Sequence, residues 1–259
     1  MALMTLLALL RKAYPDLDKD RAGALISCKN VYVNGELCTD PKQSFPSTGT
    51  VEIIYPKYVS RGGLKLEKAL EEFDFPTQGL VFLDAGSSTG GFTDCLLKHG
   101  ASFVHSVDVG YNLLDYSLRN DSRVGVHEKT NIMHVQNLDP VPDAAVADLS
   151  FRSISGAAQK VLGLTRQKRM IALIKPQFEV PRGTGGFDGV IKDHDLLLTT
   201  MKSVFRTLCE EEVGVFGICL SPIRGAKGNR EFLALLAPYS KEAMTEDQFL
   251  EPVEHCRFF

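Results

Sequence analysis

Leu80-Val-Phe-Leu-Asp-Ala-Gly-Ser-Ser-Thr-Gly-Gly-Phe92 decides the fold. Val81, Phe82 and Leu83 form a short apolar run, the pattern of a strand buried on both faces. Asp84 follows at once. Gly86, Gly90 and Gly91 then break the chain, and Phe92 to Leu97 resumes an apolar period compatible with a helix. Strand, glycine turn and helix together open a nucleotide-type site: glycines let backbone amides approach a ligand, and the helix start supplies unpaired N–H donors. The spacing Gly86-Ser-Ser-Thr-Gly-Gly91 departs from the Gly-x-Gly-x-x-Gly of a dinucleotide site. A carboxylate at the strand end suits a cation better than a pyrophosphate. S-adenosylmethionine, with a sulfonium, an amino group and no phosphate, is such a ligand. Further on, Phe103-Val-His-Ser-Val-Asp-Val109 predicts a second strand carrying Asp108, spaced to accept ribose hydroxyls. Thr130-Asn131, at the end of a third strand, is expected near the adenine. The cofactor-binding set is therefore Asp84, Gly86, Ser88, Gly90, Gly91, Phe92, Asp108, Thr130, Asn131 and Asp148, with Phe92 equally readable as core.

From residue 80 to about 238, strands alternate with helical segments. The strand candidates are 80–85, 103–109, 124–129, 144–149, 170–175, 213–220 and 231–237. This alternation predicts an α/β architecture, Rossmann-like, with an open and mostly parallel sheet covered on both faces. Ligands of such sheets sit beyond the strand carboxyl ends. Polar residues occupy those ends. Asp148 tips the fourth strand and Lys175 the fifth. Glu231 follows the loop Arg224-Gly-Ala-Lys-Gly-Asn-Arg230 and begins the last strand. A lysine ending an apolar run is costly unless paired or used. Ahead of the sheet, Arg61 to Phe73 reads as a helix whose apolar face is Leu66, Ala69, Leu70 and Phe73, with Arg61, Lys65 and Lys68 off that face.

The 259 residues allow one large domain plus a small one. A net charge of −3 gives no global pull toward nucleic acid, so any such binding must come from local patches. Six cysteines are scattered, Cys28 among them, with no Cys-x-x-Cys spacing. That pattern indicates neither zinc nor a disulfide framework, and it suits reduced thiols in the cytoplasm. No metal is expected. The opening Met-Ala-Leu-Met-Thr-Leu-Leu-Ala-Leu-Leu10 lacks the charged start and cleavage site of a signal peptide and falls short of a membrane span. It reads as a first helix, with a targeting segment as the alternative. Residues 18–27 suggest a second helix. Val31 to Leu37 supplies a strand and the hairpin signal Asn34-Gly35, and Thr50 to Ile54 supplies a closing strand. Residues 58–60 are expected as a linker between domains 1–57 and 61–259. Two helices and a small sheet, with Asp20 to Ile26, Val31 to Leu37 and Asp40-Pro41, resemble the alpha-L RNA-binding domain of the ribosomal-protein S-four kind. That resemblance implies an RNA-binding α+β domain at the N-terminus.

Six stretches together carry a resemblance over nearly the whole chain. They are Ser60-Arg-Gly-Gly-Leu-Lys-Leu66, Leu83 to Phe92, Val107-Asp-Val-Gly-Tyr111, Ser117-Leu-Arg-Asn-Asp121, Ala147-Asp-Leu-Ser-Phe151 and Lys175-Pro-Gln-Phe-Glu179. In combination they look like the TlyA (hemolysin A) family, which joins a domain of the S-four kind to an FtsJ-like ribose methyltransferase. The resemblance implies an enzyme that transfers methyl from S-adenosylmethionine to a ribose 2′-hydroxyl of ribosomal RNA. It places a catalytic tetrad on Lys65, Asp148, Lys175 and Glu231, and a glycine-rich active-site loop on Pro181 to Gly189. The partner it implies is ribosomal RNA or a ribosomal subunit, and the place the cytoplasm, without stable membrane insertion. In the chemistry this suggests, Lys175 is the base or proton holder, Lys65 tunes and positions it, and the two carboxylates fix the geometry. Arg61, Lys68, Arg224, Lys227 and Arg230 form the local basic surface expected to meet RNA. Two rival readings are a membrane-active hemolysin, which demands a lytic helix or a span, and a non-catalytic RNA-binding or ribosome-assembly factor. The polar strand ends argue against the second. Oligomeric state leaves no mark in the sequence.

Overall fold

The computed structural model describes residues 3–27, 29–150, 153–181, 183–225 and 227–256. Cys28, Phe151, Arg182 and Ala226, which belong to stretches quoted above, lie outside them. The chain folds into two compact units, Met1–Lys57 and Tyr58–Phe259.

In the smaller unit, β1 (Leu3–Thr5) leads into α1 (Leu6–Ala13), then α2 (Lys19–Ser27), β2 (Val31–Val33), β3 (Glu36–Leu37), β4 (Ser44–Pro46) and β5 (Val51–Ile53). The apolar N-terminal run forms a core helix. Thr5 caps it by accepting from the Ala8 N–H, and Leu6, Leu9 and Leu10 bury against Ala22, Leu25, Ile26, Val31 and Val33. Asn34 and Gly35 both take positive φ, 52° and 82°, as the tight hairpin joining β2 to β3 demands. β5 pairs antiparallel with the other edge of β2. The pairing of β1 with β4 in a separate two-stranded sheet carried no periodic signal.

The larger unit begins with α3 (Gly62–Glu72) and continues through β6 (Val81–Ala85), α4 (Gly91–Lys98), β7 (Phe103–Val107), α5 (Tyr116–Arg119), β8 (Val124–His127), β9 (Ala144–Ala147), α6 (Ser155–Gly163), β10 (Met170–Ile174), α7 (Pro176–Glu179), α8 (His194–Glu210), β11 (Val213–Leu220), β12 (Phe232–Pro238) and α9 (Glu246–Glu254). The seven strands from β6 on form one sheet, ordered β11-β12-β10-β9-β6-β7-β8. β10, β9, β6, β7 and β8 run parallel; β12 runs antiparallel between β10 and β11. Alternation along β6 sorts its side chains to two cores. Phe82 joins Leu66, Phe75 and Leu96 on one face, and Leu83 joins Val161, Met201 and Phe249 on the other. The reversal at β12 went unpredicted, and it matters for the site. Phe232 stands opposite Ile174, so the start of β12 lies at the edge where β10 ends.

Residues 58–60, expected as a linker, pack into this unit. The Tyr58 ring is buried, its hydroxyl donates to Glu67 Oε1 at 2.6 Å, and the Val59 N–H donates to Asp94 Oδ2 at 2.9 Å. Gly63 lies against that ring: a Cβ there would stand 2.2 Å from Tyr58 Cγ. Gly63→Ala should therefore destabilise the unit by about 1–3 kcal/mol through overpacking, read as a lower urea midpoint. An unchanged midpoint would mean that Tyr58 is free to move aside.

Candidate active site

The turn after β6 is held open by backbone geometry that side chains would disrupt. Gly86 has φ +85°, and a Cβ on it would meet the Asp148 carbonyl oxygen at 2.6 Å. Gly91 has no room either; its Cβ would meet Ser60 Oγ at 2.2 Å. Ser88, at φ 50°, adopts a left-handed conformation unusual for a residue with a side chain. Its N–H donates to Asp108 Oδ2 at 2.8 Å, and Asp108 Oδ1 accepts from the Gly110 N–H at 2.6 Å. The carboxylate at the tip of β7 thus braces the glycine turn, and each of its oxygens keeps a lone pair for a further donor.

Asp84 is fully buried between β6 and α4. Its Oδ2 accepts from Thr93 Oγ1 at 2.7 Å, while Oδ1 has no partner among the described residues. Burial pushes its carboxyl up to about 7, against the hydrogen bond from Thr93 and with help from the charges of Asp148 and Asp108. A buried, half-satisfied acid is costly in a core, and such groups gather at functional sites.

Beside this turn opens a cavity of about 680 Å³. Its walls bring together all four residues of the expected tetrad, as two ion pairs. Lys65 Nζ lies 2.5 Å from Glu231 Oε2, the two side chains being 11% and 4% exposed. Lys175 pairs with Asp148 and also donates to Ser150 Oγ at 2.9 Å. The topology explains the convergence. Asp148 and Lys175 leave the adjacent parallel strands β9 and β10, and the reversed β12 brings Glu231 to the same edge. Lys65 is a correction to the sequence reading. It was expected off the buried face of α3, yet it is buried there, its ammonium satisfied by Glu231.

The expected cofactor set divides. Gly86, Ser88, Gly91, Phe92 and Asp148 line the cavity. Phe92 lies on the cavity wall and also packs in the core with Leu66 and Leu96. Asp84, Gly90, Asp108, Thr130 and Asn131 stand off the wall. Gly90 supplies the left-handed start of α4, Thr130 donates its N–H to the Asp108 carbonyl at 2.9 Å, and exposed Asn131 caps the short turn Ile132–His134. The basic set divides too. Arg61 and Lys227 line the cavity; Lys68 pairs with Glu72 along α3; Arg224 donates to the Gly228 carbonyl, and neither it nor Arg230 reaches the wall. The loop 181–189 contributes Gly189.

Ser150, Gln177 and Asn229 also line the wall, and the sequence reading, which quoted each within a longer stretch, gave them no role. Asn229 is buried, accepts from the Ile191 N–H and donates to the Gly189 carbonyl, both at 2.9 Å. It fastens the glycine-rich loop to the loop before Glu231. Gln177 donates to Glu231 Oε1 at 3.3 Å. A single side-chain amide in a one-turn helix or a loop leaves no periodic trace. The signal within reach was adjacency, since Gln177 and Asn229 each lie two residues from a tetrad member.

The family model for FtsJ-like methyltransferases matches residues 58–237. Hemolysin A of Brachyspira hyodysenteriae is 40% identical over 83% of the chain and 92% of its own length. The 16S/23S rRNA (cytidine-2′-O)-methyltransferase TlyA of Mycobacterium tuberculosis is 36% identical over 88% of the chain and 87% of its own. Among solved structures, one from Streptococcus thermophilus that carries the hemolysin designation superposes with a TM-score of 0.74 at 31% identity, covering 98% of this chain and 96% of the other.

Proposed function

The chain belongs to the FtsJ-like methyltransferase family, among the TlyA and hemolysin A proteins, and on that footing we propose that it methylates a ribose 2′-hydroxyl of ribosomal RNA with S-adenosylmethionine. The observation that carries this reading is the pairing of Lys65 with Glu231 and of Lys175 with Asp148 on the wall of one cavity, beside the glycine turn.

The residues present fit the cofactor. A turn too tight for a Cβ at Gly86 or Gly91 leaves backbone for a ligand to approach, the Asp108 carboxylate at the tip of β7 suits ribose hydroxyls, and the unpaired Oδ1 of Asp84 gives the turn the negative character a cation needs. When bound, S-adenosylmethionine supplies an electrophilic methyl group on a sulfonium. The chain's own task is alignment and proton handling. Gly86, Ser88, Gly91 and Phe92 hold the cofactor side of the cavity, while Arg61 and Lys227 meet phosphate at its rim. Lys175, once its ammonium has released a proton to solvent, takes as a neutral amine the proton that the 2′-hydroxyl gives up as the O–CH₃ bond forms and the methyl–sulfur bond breaks. Asp148 and Ser150 fix the Lys175 nitrogen in place for that transfer. Lys65, held by Glu231, positions the hydroxyl and adds positive charge where the oxygen becomes anionic. Holding hydroxyl and methyl in line is the larger contribution, worth roughly 7–11 kcal/mol in well-oriented systems.

The unit Met1–Lys57 serves in this reading as the alpha-L RNA-binding domain, and the work belongs to the cytoplasm, where ribosomal subunits are. Among the described residues no helix is long and apolar enough to cross a membrane. Purified protein, incubated with ribosomal subunits and methyl-labelled cofactor, should place label on ribosomal RNA at one or a few positions. Those positions should resist alkaline cleavage, as 2′-O-methylation requires. Label found on a base, or cofactor binding without any RNA labelling, would overturn the reading.

A further inference from the structure

Gly225 is buried in the loop before β12, directly against the carboxyl group of Glu231. A Cβ on it would stand 2.4 Å from Glu231 Oε1 and 3.0 Å from Cδ, closer than atoms pack. Among the described residues, the three atoms nearest that position all belong to this carboxyl group. Conformation does not demand glycine here. The φ of Gly225 lies outside the left-handed region, so its backbone suits residues with side chains. What stands in the way of a side chain is the carboxylate.

The backbone on both sides of this contact is fastened. Gly225 donates its N–H to the Asn229 carbonyl and accepts from the Gly228 N–H, both at 2.9 Å. Asn229 is tied in turn to Ile191 and Gly189. The Glu231 carbonyl accepts from the Ser221 N–H at 2.9 Å. A clash between the two residues would therefore be relieved at the free end of the Glu231 side chain. That end is bounded by Lys65 Nζ at Oε2, by the Gln177 amide at Oε1 and by the Gly225 backbone. Lys65 must follow the carboxylate wherever it goes, since a buried ammonium left unpaired is costly.

We propose that Gly225 is a positioning residue for methyl transfer: its bare backbone seats the Glu231 carboxylate, and through it the Lys65 ammonium, where the 2′-hydroxyl is held. This rests on the ribose-methylation reading above. A methyl group at position 225 would displace the carboxylate by about 1 Å to restore ordinary contact. Misplacement on that scale can slow a reaction about 10²-fold.

The test is a double-mutant cycle on Gly225→Ala and Glu231→Asp, read by single-turnover methylation of ribosomal subunits at saturating cofactor. Aspartate carries its carboxylate one methylene further back, clear of an alanine methyl but short of Lys65. Gly225→Ala should slow the chemical step by about 10–100-fold, with the affinities for S-adenosylmethionine and for the subunit unchanged. Glu231→Asp should slow it as well. In the aspartate background the alanine should then cost little more, because the carboxylate it displaces has already withdrawn. Losses that simply multiply would mean that Gly225 acts independently of Glu231 and would overturn the proposal. So would weaker binding with an unaltered single-turnover rate. Should Gly225→Ala alone fail to fold, adding Glu231→Asp should restore a urea midpoint near that of the aspartate variant; a double variant that also fails to fold counts against the proposal. Wild-type protein that methylates no ribose would overturn the underlying reading instead, so the two failures are distinct.

Discussion

Lys175→Ala should lower the rate of methyl transfer by about 10²–10⁴-fold while the protein still binds S-adenosylmethionine. Lys175 lines the cavity wall with Asp148, Ser150 and Gln177, outside the glycine turn proposed to hold the cofactor, so cofactor binding has little reason to fail. Residual activity over water is expected, because alignment of the hydroxyl and the methyl group survives the loss of the base. Lys175→Arg separates proton handling from charge. Arginine can still pair with Asp148, but it stays protonated and accepts nothing. If proton transfer is the role, the arginine variant is as slow as the alanine one. Should arginine restore most of the rate, Lys175 acts by charge alone. Single-turnover kinetics with saturating RNA is the measurement, since it reads the chemical step without product release.

Asp84→Asn should stabilise the protein by about 4 kcal/mol at pH 8, relative to its effect at pH 4. The sign follows from burial. The carboxyl has an ordinary value of 3.8 when exposed and is pushed up to about 7 in the fold. Below the lower value both states hold the proton and the pH has no leverage. Between the two, the folded protein keeps a proton that the unfolded chain has lost, so stability falls as pH rises. Above about 7 the loss is complete. Asparagine removes the titration and can still accept from Thr93 Oγ1. Urea denaturation of both proteins at pH 4, 5.5 and 8 should show the gap opening with pH. A gap that stays constant would mean that Asp84 does not carry this burden. The same variant should bind S-adenosylmethionine more weakly at pH 8. A fold that tolerates an unpaired acid at that cost gains negative charge where a cationic ligand approaches.

Burial also explains how much of this protein was readable in its sequence. Every strand of the large sheet lies within the stretch expected for it or ends a residue beyond it, because buried strands in an α/β unit must be apolar runs bounded by turn residues. The glycine turn was equally legible, since Gly86 and Gly91 sit where backbone approach excludes a side chain. Asp148 and Lys175 stood out as polar residues ending apolar runs.

The sequence by itself determined the elements, the glycine turn and the identity of four polar residues at its strand ends and on the preceding helix. Tertiary structure alone decided that they meet. Lys65 and Glu231 lie 166 positions apart in the chain, and only the antiparallel return of β12 brings Glu231 to the edge where β10 ends. That same edge made Lys65 a buried cation, since its pairing energy comes from a carboxylate no local pattern could announce. Strand direction is settled by which edges remain free to pair once the sheet assembles. Periodicity records the burial of each segment and is blind to its direction.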